Sequence, residues 1–256
     1  MKSRCLTLLL VALLTSCSKE TPKQETKAVE PPPPVVYFKV DPATAGSVSG
    51  TIHYVGQRPK PELIDMSGDP ACMEAHHGKA HDESLVVNPN GSLANVFVYV
   101  KSGLEGKTFE VPSTPVTIDQ QGCWFHPRVL GIQVGQRLSV INSDPVTHNI
   151  HPMAQINREW NHSQGQGDPP LARKFLKPEV MIRVKCNIHS WMHAFIGVVD
   201  NPYYAVTGAD GKFKLDNLPP GNYVLEAWQE KLGTQDANIT VGPSGKIESS
   251  FTFKGE

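Results

Sequence analysis

The sequence predicts an all-β protein with sandwich architecture, and three observations support this prediction. Short runs rich in β-branched and aromatic residues, several of them alternating between polar and apolar, recur between Ser47 and Phe253. Turn-forming sequences such as Asp210-Gly211 and Pro219-Pro220-Gly221 separate these runs. Helical periodicity is nearly absent from the same region. Many short strands divided by glycine and proline turns are typical of β-sandwiches.

Ten strands are predicted, each from an alternating or β-branched run. Two of them show the pattern clearly, because Leu138 and Val140 share one face of their run and Ile182 and Val184 alternate with charged residues. In chain order the predicted strands cover residues 47–55, 95–101, 130–134, 138–141, 180–186, 195–199, 212–215, 223–228, 238–241 and 249–253.

Composition limits the size and the function class of the folded part. After an N-terminal region described below, about 210 residues remain, which is enough for one large or two small β domains. The formal net charge is -1 and no basic stripe runs along the chain, so nucleic acid is not expected as a partner. The sequence has no nucleophile motif, no paired carboxylates beside its histidines and no phosphate-binding loop. We therefore do not expect an enzyme.

The N-terminus has the pattern of an export signal. Lys2 and Arg4 supply a positive flank, and residues 6–14 form a short apolar run. That run has about half of the roughly twenty apolar residues needed to cross a bilayer, so a membrane span is not expected. The sequence Leu14-Thr15-Ser16-Cys17 resembles the lipobox of bacterial lipoproteins. The resemblance implies removal of residues 1–16 and a lipid on Cys17, and an ordinary signal peptide is the alternative.

Residues 17–45 are predicted to be a disordered tether. They consist largely of Lys, Glu, Thr and Pro, including four consecutive prolines at 31–34, and hold too few apolar side chains for a core. Acyl chains contribute about 0.8 kcal/mol per buried methylene, so two or more on Cys17 would anchor the chain stably. Ser18 resembles the outer-membrane sorting signal of Gram-negative lipoproteins. We therefore expect a lipid-anchored protein at the periplasmic face of a bacterial membrane, with the outer membrane favoured over the inner.

The last part of the folded region resembles the carboxypeptidase regulatory-like domain, a transthyretin-like β-sandwich. The resemblance rests on residues 207–213 (TGADGKF) and 218–223 (LPPGNY). Such domains begin with a segment like residues 46–52 (GSVSGTI), which here lies far upstream. We therefore predict a discontinuous sandwich, residues 46–105 together with 203–256, with a second domain inserted between its strands. The alternative is two separate small units, but half a sandwich would bury too little apolar surface to be stable alone.

Two short segments of the inserted part carry the chemistry. Residues 134–149 contain a glycine turn, a strand and then His148-Asn149, and residues 186–193 (CNIHSWMH) directly follow a predicted strand. Together they resemble the cupredoxins, the plastocyanin and azurin family, and the resemblance assigns residues 106–202 to a copper domain. It implies one type 1-like copper ion with three equatorial ligands: His148, Cys186 and His189. One thiolate and two imidazoles are the donors that blue-copper sites use.

The fourth ligand is where the sequence departs from plastocyanin. There the loop is Cys-x2-His-x4-Met, whereas Met192 follows His189 after only two residues here. The shorter spacing occurs in the dinuclear copper centre of cytochrome oxidase, but that centre needs two cysteines in the loop. A mononuclear site with Met192 as axial ligand is therefore predicted, with His193 as the alternative. The resemblance also gives Asn149 a supporting role, a hydrogen bond across the ligand loops that holds Cys186 in place.

Five cysteines can be sorted once export is assumed. Cys5 would leave with the signal peptide and Cys17 would take lipid. Because the copper resemblance uses Cys186, we predict a disulfide between Cys72 and Cys123. A disulfide through Cys186 is the competing possibility, and it would destroy the copper site.

A second cluster, Cys72 with His76, His77 and His81, fits no standard zinc pattern. It lies among glycine, lysine and aspartate residues that are typical of an exposed loop, so no metal is predicted there.

The predicted function is one-electron transfer to or from a redox protein partner. The alternative is copper storage, delivery or sensing, which the surplus of donors around the loop favours: His151, Met153, Met192 and His193. A third hypothesis is an envelope binding or scaffold module with a vestigial copper site.

Overall fold

The computed structural model describes residues 34–255. Within this range the chain forms seventeen β-strands and one short α-helix, which confirms the predicted all-β class. No helix within the same range has the length and apolar content that crossing a membrane requires. The predicted signal peptide, residues 1–16, and the predicted lipid on Cys17 lie outside the described residues.

The strands and the helix are numbered in chain order. They are β1 (Gly46–Val55), α1 (Pro70–Ala75), β2 (Phe97–Ser102), β3 (Val116–Gln121), β4 (Trp124–His126), β5 (Val129–Gln133), β6 (Leu138–Asn142), β7 (His148–Pro152), β8 (His162–Gln164), β9 (Leu171–Arg173), β10 (Glu179–Lys185), β11 (His193–Val199), β12 (Tyr204–Val206), β13 (Lys212–Leu218), β14 (Gly221–Gln229), β15 (Gly233–Val241), β16 (Lys246–Glu248) and β17 (Phe251–Lys254). Each of the ten predicted strands overlaps one of these. Helix α1 and seven strands, β3, β4, β7, β8, β9, β12 and β16, were not predicted.

Two sheets are built from residues 46–102 and 204–254. One has the strand order β13-β1-β16, with β17 also paired to β1, and the other has the order β12-β2-β14-β15. Alternation along β1 turns Val48 and Ile52 to one face, where both are fully buried. They share a core with Leu225 of β14 in the other sheet. The two sheets thus face each other across one apolar layer.

Two further sheets are built from residues 116–199. Their strand orders are β5-β11-β10-β7-β8 and β4-β3-β6-β9. Ile118 and Val140 of one sheet share a buried core with Val184 and Ile196 of the other. This is a second sandwich, in which β7, which begins at His148, lies next to β10, which ends directly before Cys186.

Phe97 of β2 packs where the two pairs of sheets meet. Its side chain is fully buried in a cluster with Val129 of β5 and Val199 of β11. A Cβ atom added at Gly131 or Gly197 would lie 2.8 or 2.6 Å from the Phe97 ring. Glycine at these two positions therefore leaves the space that the ring occupies.

The connection from β1 to β2 carries a segment, residues 65–78, that we call the α1 segment. Asp69 caps α1, because its Oδ1 accepts hydrogen bonds from the N–H groups two and three residues later, at 3.0 and 3.3 Å. A disulfide joins Cys72 of α1 to Cys123 in the turn between β3 and β4. It is the pairing that the sequence predicted, and it leaves Cys186 as the free cysteine among the described residues.

The predicted boundary of the tether, residues 17–45, lies too far along the chain. Phe38 packs edge-to-face on Phe109, with 5.8 Å between ring centroids. Its N–H also donates to the carbonyl oxygen of Thr108 at 2.7 Å. Residues that make such contacts are part of the fold, because an aromatic ring and a backbone hydrogen bond fix them on the sandwich.

Candidate metal centre

The three predicted equatorial ligands come from neighbouring strands. His148 is the first residue of β7, and Cys186 directly follows β10, which pairs antiparallel with β7. His189 lies in the loop that joins β10 to β11. That loop is narrow because the Cys186 N–H donates to the carbonyl oxygen of Met192 at 3.0 Å. The pairing and the loop together bring the three side chains to one end of the sandwich.

The donor atoms of these three residues converge. One ligand atom from each of His148, Cys186 and His189 lies within 4.8 Å of the others. The two imidazole Nδ1 atoms are 3.1 Å apart, and Nδ1 of His189 is 3.8 Å from the sulfur of Cys186. All three residues are buried, with exposed fractions of 0, 3 and 4 % for His148, Cys186 and His189. The arrangement is a closed donor set of one sulfur and two nitrogens.

The environment of Cys186 favours its thiolate. Burial opposes ionisation, but interaction with His148 and three backbone N–H groups outweighs it and lowers the pKa of the thiol to about 6. The three N–H groups belong to Asn149, Ile188 and His189, each with its nitrogen 3.4 Å from the sulfur. A thiolate is the form of cysteine that binds metal ions.

His148 is oriented by the carboxylate of Asp144. Its Nε2 lies 2.7 Å from Oδ2 of Asp144, which also accepts the N–H of Cys123 at 2.8 Å. Burial would lower the pKa of His148, but Asp144 and Cys186 raise it to about 9 in the metal-free protein. With Nε2 bonded to a carboxylate, Nδ1 is the nitrogen that faces the other donors.

His189 has a corresponding partner in the α1 segment. Its Nε2 lies 3.1 Å from Oδ2 of Asp69. The ring of Trp191 lies beside it, with 5.2 Å between centroids. Both imidazoles therefore present Nδ1 to the sulfur of Cys186 and Nε2 to a carboxylate.

The two candidates for the fourth ligand lie in different surroundings. Met192 is fully buried in the same apolar core as Cys186. His193 has other partners on both ring nitrogens: Nδ1 lies 2.9 Å from the carbonyl oxygen of Trp191, and Nε2 lies 3.0 Å from Oε1 of Glu230. Both ring nitrogens of His193 thus have hydrogen-bond partners outside the donor set.

Asn149 links the two ligand-bearing segments. Its Oδ1 accepts the N–H of Asn187 at 3.1 Å, and its own N–H points at the sulfur of Cys186. Its Nδ2 is hydrogen-bonded to Asn161. These contacts tie the start of β7 to the loop after β10.

The second histidine cluster holds no convergent donor set. Cys72 is in the disulfide, and Nε2 of His76 bonds to the carbonyl oxygen of Gly122 at 2.6 Å. His77 and His81 are exposed, and neither belongs to a group of convergent metal-binding side chains within residues 34–255.

Sequence reasoning missed two residues of the site. Asp144 lies four residues before His148 in the segment 134–149, and the sequence pattern predicted no contact for it. Asp69 was not considered at all. Its one local signal is Asp69-Pro70, a capping residue followed by proline, which is typical of the start of a helix. That signal could have predicted α1, though not its contact with His189.

No family model matches the chain, and no curated protein matches it. Among solved structures, the Cu-containing nitrite reductase from Thermus scotoductus SA-01 shares 23% identity over 39% of this chain and 26% of its own, with a TM-score of 0.33. An oxidised proline-to-glycine mutant of amicyanin shares 17% identity over 40% of this chain and 97% of its own, with a TM-score of 0.30. The purple cupredoxin from Nitrosopumilus maritimus shares 21% identity over 32% and 98%, with a TM-score of 0.28. The match spans about a quarter of the length of the nitrite reductase.

Proposed function

We propose that the protein binds one copper ion through His148, Cys186 and His189, with Met192 as axial ligand, and acts in one-electron transfer. One observation carries the proposal, namely the convergence of a thiolate-favouring sulfur and two imidazole nitrogens in a buried site. Two imidazoles, one thiolate and a weak thioether are the donor set of blue-copper electron carriers.

The distances between the donors suit a single ion. Bonds of about 2.0 Å to nitrogen and about 2.3 Å to sulfur allow two donors of one ion to be up to about 4.3 Å apart. The Nδ1 atoms of His148 and His189 are 3.1 Å apart, and Nδ1 of His189 is 3.8 Å from the sulfur of Cys186. Copper held by these residues would supply a couple that gains and loses one electron.

The protein's own contribution is to hold the donors in one geometry. Three backbone N–H groups surround the sulfur of Cys186, and Asp144 and Asp69 fix the imidazole rings of His148 and His189. The apolar core beneath Cys186 limits access of water. Ligands held in this way move little when the charge of a bound ion changes, which suits electron transfer more than bond chemistry.

We extend the proposal to the whole chain. Residues 46–105 and 203–256 would form the regulatory-like sandwich, and residues 106–202 would form the copper domain inserted in it. The strand order supports this division, because β1 and β2 pair with strands after Tyr204 and not with those between. A lipid on Cys17 would hold the protein at the periplasmic face of the membrane, where it would meet a redox protein partner.

A copper titration of the purified protein tests the central claim. We expect one copper per chain, an intense visible thiolate-to-Cu(II) absorption, and an electron paramagnetic resonance signal that disappears on reduction and returns on oxidation. Cys186→Ser should lose the absorption because it removes the thiolate. The matched control is His162→Ala, an exposed histidine on β8. An absorption that survives in Cys186→Ser, or a wild type that binds no copper, would contradict the proposal.

Copper delivery is the alternative function, and the two surplus histidines that favoured it, His151 and His193, have carboxylate partners. Nε2 of His151 lies 2.5 Å from Oε1 of Glu159, and His193 bonds to Glu230. The two functions differ in a measurable way. A carrier keeps its copper through repeated reduction, whereas a delivery protein loses Cu(I) to a competing chelator.

A further inference from the structure

A continuous chain of contacts connects the outer edges of the two imidazoles. It runs from His189 to Asp69, through α1 to the Cys72–Cys123 disulfide, and from there to Asp144 and His148. These contacts join residues 69 and 72, which the sequence assigned to the regulatory-like sandwich, to residues of the predicted copper domain.

Asp69 performs two tasks with its two carboxylate oxygens. Oδ1 caps α1 through the N–H groups of Ala71 and Cys72, at 3.0 and 3.3 Å, and Oδ2 bonds to Nε2 of His189 at 3.1 Å. The helix start and the imidazole are therefore held by one side chain. Any movement of α1 away from the sandwich would remove the carboxylate from His189.

Asp144 has the same double role on the other side of the disulfide. Oδ1 accepts the N–H of Gly122 at 2.6 Å, and Oδ2 accepts the N–H of Cys123 at 2.8 Å as well as Nε2 of His148. The turn that carries Cys123 and the ring of His148 are thus fixed to one carboxylate.

The disulfide connects these two carboxylate systems at the site itself. A ring nitrogen of His189 lies within 4.8 Å of both sulfur atoms, and Cys72 and Cys123 are almost fully buried. His189, 4 % exposed, is covered by the α1 segment and by Trp191. The disulfide therefore holds the α1 segment over the His189 ring, in addition to closing a loop of the polypeptide.

We propose that Asp69 and Asp144, joined through the Cys72–Cys123 disulfide, form a clamp that makes the site prefer Cu(II) over Cu(I) and shields His189 from solvent. The inference rests on the proposed copper function. A carboxylate that accepts the Nε2–H of a ligand imidazole makes the other nitrogen a stronger donor. A stronger donor stabilises the ion of higher charge more, so the two aspartates are positioning residues that lower the reduction potential.

Neutralising Asp69 tests the electrostatic part. Asp69→Asn keeps a capping oxygen and the shape of the side chain but removes the charge. Loss of such a partner costs about 10- to 100-fold in metal affinity, and we expect the loss to fall mainly on Cu(II). Each tenfold loss of Cu(II) over Cu(I) affinity raises the potential by about 59 mV. Asp65→Asn is the matched control, because Asp65 lies in the α1 segment and bonds to the Ser67 N–H.

The shielding part is tested without copper. In the copper-free protein, diethyl pyrocarbonate should modify His189 slowly, as measured by mass spectrometry of its peptide. In the Cys72→Ala/Cys123→Ala variant the rate should rise at least about tenfold, because α1 can then open locally. Asp69→Asn provides the second variant if the double variant does not fold, and its His189 should react faster than that of Asp65→Asn.

The two readouts separate failure of the clamp from failure of the proposed function. An unchanged potential in Asp69→Asn relative to Asp65→Asn overturns the electrostatic role. A folded double-cysteine variant with His189 as protected as in the wild type overturns the role of the disulfide. If the wild type takes up no copper, the proposed function fails, and the reactivity of His189 alone decides whether the clamp exists.

Discussion

The ion pair between Arg128 and Glu230 allows a sharp test of how the two sandwiches are held together. Arg128 lies between β4 and β5, and Glu230 follows β14; their side chains are 4 and 12 % exposed. Arg128 Nε lies 2.9 Å from Oε2 of Glu230, and Nη2 lies 3.1 Å from Oε1. Oε1 is also 3.0 Å from Nε2 of His193, the residue after the proposed axial ligand.

Glu230→Ala should destabilise the fold because it removes the carboxylate partner of the buried Arg128 guanidinium. Removing one partner of a buried pair costs about 3–5 kcal/mol. Asp82, 3.8 Å from Arg128 Nη2 and partly exposed, and His193, whose Nε2 lies 2.5 Å from the same nitrogen, remain as weaker partners of the guanidinium. We therefore expect a loss near the lower end, about 3 kcal/mol, measured by urea unfolding followed by tryptophan fluorescence. The double variant Arg128→Met/Glu230→Leu should lose less, because no unpaired charge remains.

The same pair should give a defined pH dependence. Burial alone would raise the pKa of Glu230, but hydrogen bonds from His193 and Arg128 outweigh it and hold the pKa below its ordinary value of 4.5. A carboxyl with a lowered pKa stabilises the folded state above its ordinary value, and that contribution disappears as the pH falls through the lowered value. The difference in unfolding free energy between wild type and Glu230→Ala should therefore be constant near neutral pH and shrink below about pH 4.5.

Two results would refute this reasoning. Glu230→Ala could unfold within about 0.5 kcal/mol of the wild type, the range of ordinary surface substitutions. Alternatively, the double variant could lose as much stability as the single one. The unpaired charge of Arg128 would then not be the cause of the destabilisation.

Three further predictions concern other parts of the fold. Replacing Cys72 and Cys123 together by alanine should lower the unfolding free energy by about 4 kcal/mol, from the chain entropy of a loop with sequence separation 51, and a change below about 1 kcal/mol in urea unfolding would contradict that estimate. Gly197→Ala should lower the unfolding free energy by about 1–3 kcal/mol through overpacking, because its Cβ would lie 2.6 Å from a methionine carbon and a phenylalanine carbon. Gly208→Ala is the neutral control, because the atom nearest to its Cβ would be 4.0 Å away. The ultraviolet thiolate absorbance of copper-free Cys186 should appear near pH 6, and a transition near pH 9 would contradict the contacts described for the sulfur. Because metal must displace the His148 proton below about pH 9 and the Cys186 proton as well below about pH 6, metal affinity should fall more steeply below pH 6 than above it.

Local patterns predicted most of the strands because the features that define a strand are local. Leu138 and Val140 are buried on one face of β6, as their alternation required. Ile182 and Val184 are likewise buried on β10, and Cys186 continues that face into the site. Unpredicted strands such as β8 and β9 are three residues long, too short for an alternating pattern to stand out.

The contacts that complete the site could not be predicted in this way, because they join distant parts of the chain. Asp69 and His189 are 120 residues apart, and Arg128 and Glu230 are 102 apart. A capping aspartate and a buried ligand partner look the same in sequence. The predicted disulfide gave one long-range constraint, because pairing Cys72 with Cys123 requires the segments around these two cysteines to lie together.

The charges around the site point to the oxidation state it favours. Cys186 as thiolate and the carboxylates of Asp69 and Asp144 carry three negative charges, one more than Cu(II) would offset and two more than Cu(I) would offset. Burial penalises unbalanced charge, and the sulfur and both imidazoles are almost fully buried. Adding an electron therefore increases an imbalance that the surroundings already oppose. A lower potential than that of a site without the two aspartates follows, and neutralising either one should move the potential upward.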